Sequence, residues 1–217
     1  MAQIHKIACG TVNCFLVSQG KKAILVDTAS AGYADKIFKY CRDFEVSLIL
    51  LTHGHIDHVQ NTAVLRERLQ APVGIHAADQ ELLQDQLARP LLPKGLFGKM
   101  MCRFSKRSMA QAVPFFTPDI WLEEAFDLSP YGICGNVICL PGHTAGSIGI
   151  DIEKRHVLVG DAMMNVTFPQ ASPLGENPLL LKQSVAKIKH LGRRTIYCGH
   201  GRSWKQREIG TQTHIND

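Results

Sequence analysis

Residues 52–58 read Thr-His-Gly-His-Ile-Asp-His and set three imidazoles and a carboxylate on one short stretch. Free histidines this close repel one another once protonated, and burying them unpaired costs desolvation energy. Bound cations remove both problems, because neutral imidazole and carboxylate are ordinary ligands of zinc and similar ions. Residues 47–51 just before run Ser-Leu-Ile-Leu-Leu, continuously apolar from Leu48, as a strand buried on both faces is. Side chains two apart in extended backbone point the same way, so His53, His55 and Asp57 can share one side. Asp57 and His58 fall where the next helix begins, and exposed amides and the helix dipole favour a carboxylate there. Adjacent residues do not easily aim at the point served by the first two histidines, so the spacing points to two neighbouring metals. It differs from His-Glu-x-x-His, where one helix face offers two imidazoles to a single zinc.

Three further candidates each follow an apolar run and a glycine. His143 lies in Pro-Gly-His-Thr-Ala-Gly-Ser, Asp161 in Val-Gly-Asp-Ala and His200 in Cys-Gly-His-Gly. Glycine lets the backbone turn sharply and approach closely. Strand ends that meet at one rim bring ligands together from distant sequence.

Those strands can be read from pattern. Residues 4–7, 14–17 and 23–26 form an opening set, with Gly20-Lys21-Lys22 as the last turn. Residues 33–41, 58–69, 78–87 and 178–191 have helical spacing, the last with Pro178 near its first turn and Gly192 past its end. Residues 73–75, 147–152, 156–159 and 195–198 read as strands, and Gly135-Asn136 as a hairpin or bulged turn. Strands and helices in two similar halves predict an α/β fold of two sheets packed face to face with helices outside.

The length of 217 residues and 45% hydrophobic content suit one domain over 1–217 with a sizeable core. No apolar run is long enough to span a bilayer, and no basic region followed by a long apolar stretch marks a leader. Seven cysteines without a Cys-x-x-Cys pair read as reduced thiols, which predicts a cytoplasmic protein. The net charge of +5 suits an anionic substrate. Residues 89–118 break the pattern as a basic and apolar helical insertion: Asp and Glu are absent from 90–118, while Lys94, Lys99, Arg103, Lys106 and Arg107 accompany Leu96, Phe97, Met100, Met101 and Phe104. A helical hairpin packed on the body, a lid that greets an anionic and partly apolar substrate, a homodimer contact or a membrane-surface contact all fit that composition. His5, His76, His156, His190 and His214 lack motif context and read as surface or packing residues, and Cys198 reads as core.

Taken in order, the motifs at 52–58, 141–147, 160–161 and 199–200, with Val26-Asp27-Thr28 after an early strand, resemble those of the metallo-β-lactamase fold superfamily. The resemblance runs from about residue 13 to residue 201. It implies a four-layer αββα sandwich of two mixed β-sheets with outer helices. It implies two divalent metal ions, zinc first, with iron or manganese also suited. His53, His55 and His143 would hold the first and Asp57, His58 and His200 the second, with Asp161 bridging and Asp27 supporting a ligand or the loop. A hydroxide shared by such a pair attacks a carbonyl or phosphoryl centre, and Asp57 can orient it.

The implied activity is hydrolysis of an ester, thioester or lactone of a small anionic metabolite. Glyoxalase II enzymes resemble this site closely but carry a C-terminal helical region, whereas 202–217 alone follow the last ligand here. Quorum-signal lactonases have a Tyr shortly after the bridging Asp, where this chain has Ala162, Met163 and Met164. Asp161 fills a position that β-lactamases of this fold lack, which argues against antibiotic hydrolysis, as does the missing leader. The alternatives are a persulfide dioxygenase with one iron and a phosphodiesterase or nuclease. The basic stretch is short for gripping RNA, so no nucleic-acid partner is expected.

Overall fold

Apolar runs without alternation require strands covered on both faces, and the computed structural model supplies the covers. It describes residues 1–123 and 126–206, apart from the side chains at 97 and 104–108. Expectations for His214, Phe97, Phe104, Lys106 and Arg107 lie outside the described residues.

The first half runs β1 (Gln3–Cys9), β2 (Val12–Gln19), β3 (Lys22–Val26), α1 (Ala34–Cys41), β4 (Glu45–Leu50), α2 (Ile56–Val59), α3 (Thr62–Leu69) and β5 (Val73–His76). Then come α4 (Gln80–Gln84), β6 (Leu92–Pro93), α5 (Gly95–Met109), β7 (Ile120–Leu122) and β8 (Phe126–Asp127). The second half adds β9 (Gly135–Cys139), β10 (Ile148–Ile152), β11 (His156–Leu158), β12 (Met163–Met164), β13 (Gln170–Ala171) and β14 (Leu174–Gly175). It closes with α6 (Pro178–His190), β15 (Thr195–Tyr197) and β16 (Trp204–Lys205).

One mixed sheet has the order β1-β2-β3-β4-β5-β7 and the other β16-β15-β11-β10-β9-β8. The first is antiparallel through β1, β2 and β3 and parallel from β3 to β7. In the second, β11 and β15 are parallel and the other pairs antiparallel.

Alternation along each strand assigns the layers. Leu16, Leu25 and Ile49 face Ile37, Cys41 and Leu65 of α1 and α3. Their neighbours Phe15, Val17, Ile24, Leu48 and Leu50 face Val137, Ile148, Ile150 and Leu158 of the other sheet. Val157 and Ile196 turn outward to Leu181 and Ile188 of α6. The result is helix, sheet, sheet, helix. A buried leucine such as Leu48 is worth about 2–5 kcal/mol against alanine. Helix α6 starts where Asn177 Oδ1 accepts from the Leu179 and Leu180 amides at 3.0 and 3.1 Å, with Pro178 next. Among the described residues no helix is long and apolar enough to cross a membrane.

Three expectations are corrected. Gly135 and Asn136 make no turn; they open β9 and pair with Ile152 and Asp151. The reversal sits at the 3-10 turn Ser129–Tyr131, closed by Gly132 at φ 77°. Residues 58–69 are not one helix. Asn61 interrupts them because its amide donates to the carbonyls of Thr28, Ala29 and Ser30 at 2.6, 3.2 and 2.6 Å, pinning the β3–α1 loop. Residues 89–118 hold one helix, α5, rather than a hairpin. Pro114 and Pro118 oppose a second helix, and Phe116 is buried against the helical layer.

Candidate metal centre

The seven residues picked out by motif come together at one end of the two sheets. Ligand atoms of His53, His55 and His143 lie within 4.8 Å of one another. So do those of His53, His58 and Asp161, and those of Asp57, His58 and His200. His55 is the last extended residue before α2, at φ −70° and ψ 144°. The helical turn then takes Asp57 out of the alternation that would place it beside His53 and His55. It joins His58 and His200 instead. Asp161 is central: its oxygens lie 3.5 Å from His58 Nε2, 3.2 Å from His200 Nε2 and 3.7 Å from His143 Nε2.

Hydrogen bonds fix four of the five rings. A carbonyl or carboxylate oxygen only accepts, so the ring nitrogen facing it carries the proton. His143 Nδ1 donates to Leu174 O at 2.9 Å, His200 Nδ1 to Thr11 O at 2.8 Å, and His58 Nδ1 to Asp27 Oδ2 at 2.8 Å. Thr52 Oγ1 gives its own proton to Asp27 Oδ2 at 2.8 Å, so it accepts from His53 Nδ1 at 3.0 Å. With Nδ1 committed, each of these rings turns its Nε2 inward. His55 completes the set, with Nδ1 3.0 Å from His143 Nε2. Nε2 of His53 and His58 and Oδ1 of Asp161 are buried without a hydrogen-bond partner. Convergent lone pairs and anionic oxygens of this kind are costly unless a cation shares them, so the donor set fits divalent metal ions.

Electrostatics point the same way. Burial, helped by His58, His55 and His143, takes His53 well below the ordinary imidazole range, and burial with His143 takes His55 down to about 3. Burial also opposes a proton on His58 and His200, but carboxylates outweigh it there. Asp27, Asp161 and Asp57 raise His58 to about 9, and Asp161 and Asp57 hold His200 well above its usual range. Burial penalises Asp57 and Asp161 as anions, yet His58 and His200 keep both well below the usual carboxylate range. The pocket calls for positive charge beside its carboxylates.

Two buried carboxylates organise the loops. Asp27 sits at φ 61°, a left-handed conformation that costs a non-glycine residue about 1–2 kcal/mol. Its side chain offsets the strain by taking Thr52 N at 2.7 Å as well as Thr52 Oγ1 and His58 Nδ1. It thus holds both the His58 ring and the Thr52 loop. Sequence reasoning misses the second, Asp79, which is fully buried just past β5. Asp79 Oδ2 accepts from Gly54 N at 2.8 Å and Thr144 Oγ1 at 2.7 Å, and Oδ1 from Gly146 N at 2.8 Å and Arg89 Nη2 at 2.7 Å. One side chain therefore ties the His53–His55 loop to the His143 loop. The approach is close enough that a Cβ on Gly146 would fall 2.7 Å from Asp79 Cγ. An acidic residue soon after a buried strand is the one signal shared with Asp27.

The two halves are stitched at this rim by Ile148 N donating to Thr52 O at 2.9 Å and Asn13 N to Gly199 O at 2.7 Å.

The family model for the metallo-beta-lactamase superfamily matches residues 7–200. A relative from Haemophilus influenzae, hydroxyacylglutathione hydrolase GloC, is 28% identical over 200 residues, covering 87% of this chain and 85% of that protein. The solved structure of TTHA1623 in a di-iron-bound form aligns at TM-score 0.68 and 24% identity over 94% of both chains. The BLEG-1 B3 metallo-beta-lactamase aligns at TM-score 0.73 and 21% identity over 95% of both chains. The two structures share the fold.

Proposed function

Since the chain belongs to the metallo-beta-lactamase superfamily, we propose that it is a metal-dependent hydrolase cleaving an ester, thioester or lactone of a small anionic metabolite. One observation carries this reading: four imidazoles are locked by Nδ1 hydrogen bonds so that their Nε2 atoms converge with Asp161. His53, His55 and His143 would hold one divalent cation, and Asp57, His58 and His200 a second, with Asp161 between them. Zinc, iron or manganese suits this nitrogen and oxygen set. Bound cations supply Lewis acidity and bring the pKa of water towards neutrality.

The chain's own groups do the rest. Asp57 is the least buried carboxylate of the cluster and lines the cleft. Its low pKa makes it a hydrogen-bond acceptor that orients the attacking water rather than a store for its proton. Asp27 and the Thr11 carbonyl keep His58 and His200 aimed while substrate enters. In the reaction, water oxygen bonds to the acyl carbon, the C–S or C–O bond breaks, and one water proton ends on the leaving thiolate or alkoxide. The thioester is favoured by the name of the Haemophilus influenzae relative. We read 1–217 as one such domain, with 89–118 as an insertion whose helix walls the cleft.

Elemental analysis and a screen of thioesters, lactones and phosphodiesters test the proposal. About two metal ions per chain and thioester or lactone turnover support it. About one iron with oxygen uptake, or phosphodiester cleavage alone, overturns it.

A further inference from the structure

A cleft of about 670 Å³ opens onto the ligand cluster, with His55, Asp57, His143, Asp161 and His200 among its lining residues. That volume suits a small organic molecule. Its two sides differ in chemistry. Leu91, Met101, Met109 and Leu174 form an apolar wall: the two methionines come from α5, which packs on α2 and β14, and Leu174 from β14 itself. This is the His55 and His143 side, since His55 precedes α2 and His143 bonds to Leu174 O. Methionine thioethers adapt to varied apolar shapes.

The other side is made by β1 and the loop after His200, and it brings Lys6 and Arg202 into the lining, with Met164 and Val166 beside them on either side of Asn165. Lys6 Nζ donates to Gly201 O at 2.9 Å, and Asn13 Nδ2 reaches the same oxygen at 3.0 Å. Arg202 N donates to Asn165 O at 2.9 Å, and Asn165 Nδ2 returns a bond to Arg202 O at 3.1 Å. The backbone under both cations is therefore fixed. Among the described residues neither cation has an ion-pair partner, and the cleft's lining carboxylates are Asp57 and Asp161 of the cluster. Lys94, Lys99 and Arg103, which the composition of 89–118 offers for greeting an anion, do not line the cleft among the described residues.

We infer that Lys6 and Arg202 form an anion-binding arm, so that the cleft takes a two-ended substrate. A small organic anion group lies on the His200 side, the scissile carbonyl over the cluster, and an apolar group against the methionine wall. The place of the scissile bond rests on the hydrolase reading; the arm and the wall do not. Exposed cations act weakly and are screened, so each contributes a modest factor and the pair sets the preference.

Equilibrium binding to the metal-loaded protein tests this with a hexyl thioether ending in propanesulfonate and the same thioether ending in an alcohol. Neither can be hydrolysed, and sulfonate is a poor metal ligand. The sulfonate should bind about tenfold more tightly at low salt, with the advantage shrinking as salt rises. Lys6→Ala and Arg202→Ala should each remove about threefold of that preference and the double variant nearly all of it. Lys6→Arg should retain it, which separates charge from the hold of Lys6 on Gly201. Equal binding of the two probes, or a preference that survives the double variant, overturns the arm. A preference that depends on both residues in a protein that hydrolyses no thioester or lactone upholds the arm while the hydrolase reading fails.

Discussion

Asp79→Asn keeps the shape of a side chain and removes its charge. Each native oxygen receives two donors, Gly146 N and Arg89 Nη2 on Oδ1, and Gly54 N and Thr144 Oγ1 on Oδ2. An amide offers one oxygen, so one pair of donors must meet an NH2 group. The less costly orientation puts NH2 on the Oδ2 side, because the Thr144 hydroxyl can swing to Ser147 Oγ at 2.8 Å. Gly54 N is then buried without an acceptor, at about 1–3 kcal/mol. Arg89 keeps the amide oxygen as an acceptor but loses the negative charge beside it; Glu176 Oε1 remains 3.0 Å from its Nε, so the charge loss falls below the about 3–5 kcal/mol of a fully orphaned pair. A total near 3 kcal/mol lowers Tm by about 10 °C for a chain of this size. Gly54 separates His53 from His55, so the first ligand group loosens and loses about 10–100-fold in metal affinity. The second group, held by Asp27 and Thr11, is spared. Thermal unfolding of the apoprotein and a chelator-competition titration that resolves two binding steps measure both effects. An unchanged Tm with two unchanged steps, or a loss confined to the second step, refutes the reasoning.

Gly199→Ala would land a Cβ on Asp161 Oδ1 and the His58 ring, so we expect the second metal-binding step and turnover to vanish while circular dichroism stays native; full occupancy of both sites in that variant would contradict the packing. Burial pushes Glu176 up to about 7, against Arg89 and with Asp79. Its folded pKa exceeds its unfolded one, so the stability it contributes is complete below the ordinary glutamate range and lost as pH rises through about 7. Relative to Glu176→Gln, wild-type apoprotein should therefore lose Tm across that window, and a relative gain would reverse the sign of the argument.

The candidate ligands are legible in sequence because metal chemistry compresses into short motifs at strand ends, and His53, His143, Asp161 and His200 each sit there. The layers are legible because 48–51 and 14–17 are apolar at every position, which single-faced strands avoid. Asp79 is not, since its partners are backbone amides 25 and 67 residues away that carry no residue type. The break at Asn61 escapes for the same reason: its acceptors are carbonyls of a distant loop. Gly135-Asn136 misleads because a turn-prone pair can open a strand when flanking strands pair with it, here Asp127 and Asp151 with Asn136 and Ile152 with Gly135. Lys6 and Arg202 lie at opposite ends of the chain, and only the fold makes them neighbours.

His53, His55, Asp57 and His58 descend from one sheet, whereas His143, Asp161 and His200 descend from the other. Neither sheet owns a complete ligand group for the His53–His55–His143 triad or for the Asp57–His58–His200 triad. Cations held there would sit on a seam, beside the seam bonds from Ile148 to Thr52 and from Asn13 to Gly199. Loading metal should rivet the sandwich shut, so any change that lets the sheets slide, however far from the rim, reads out as weakened metal affinity.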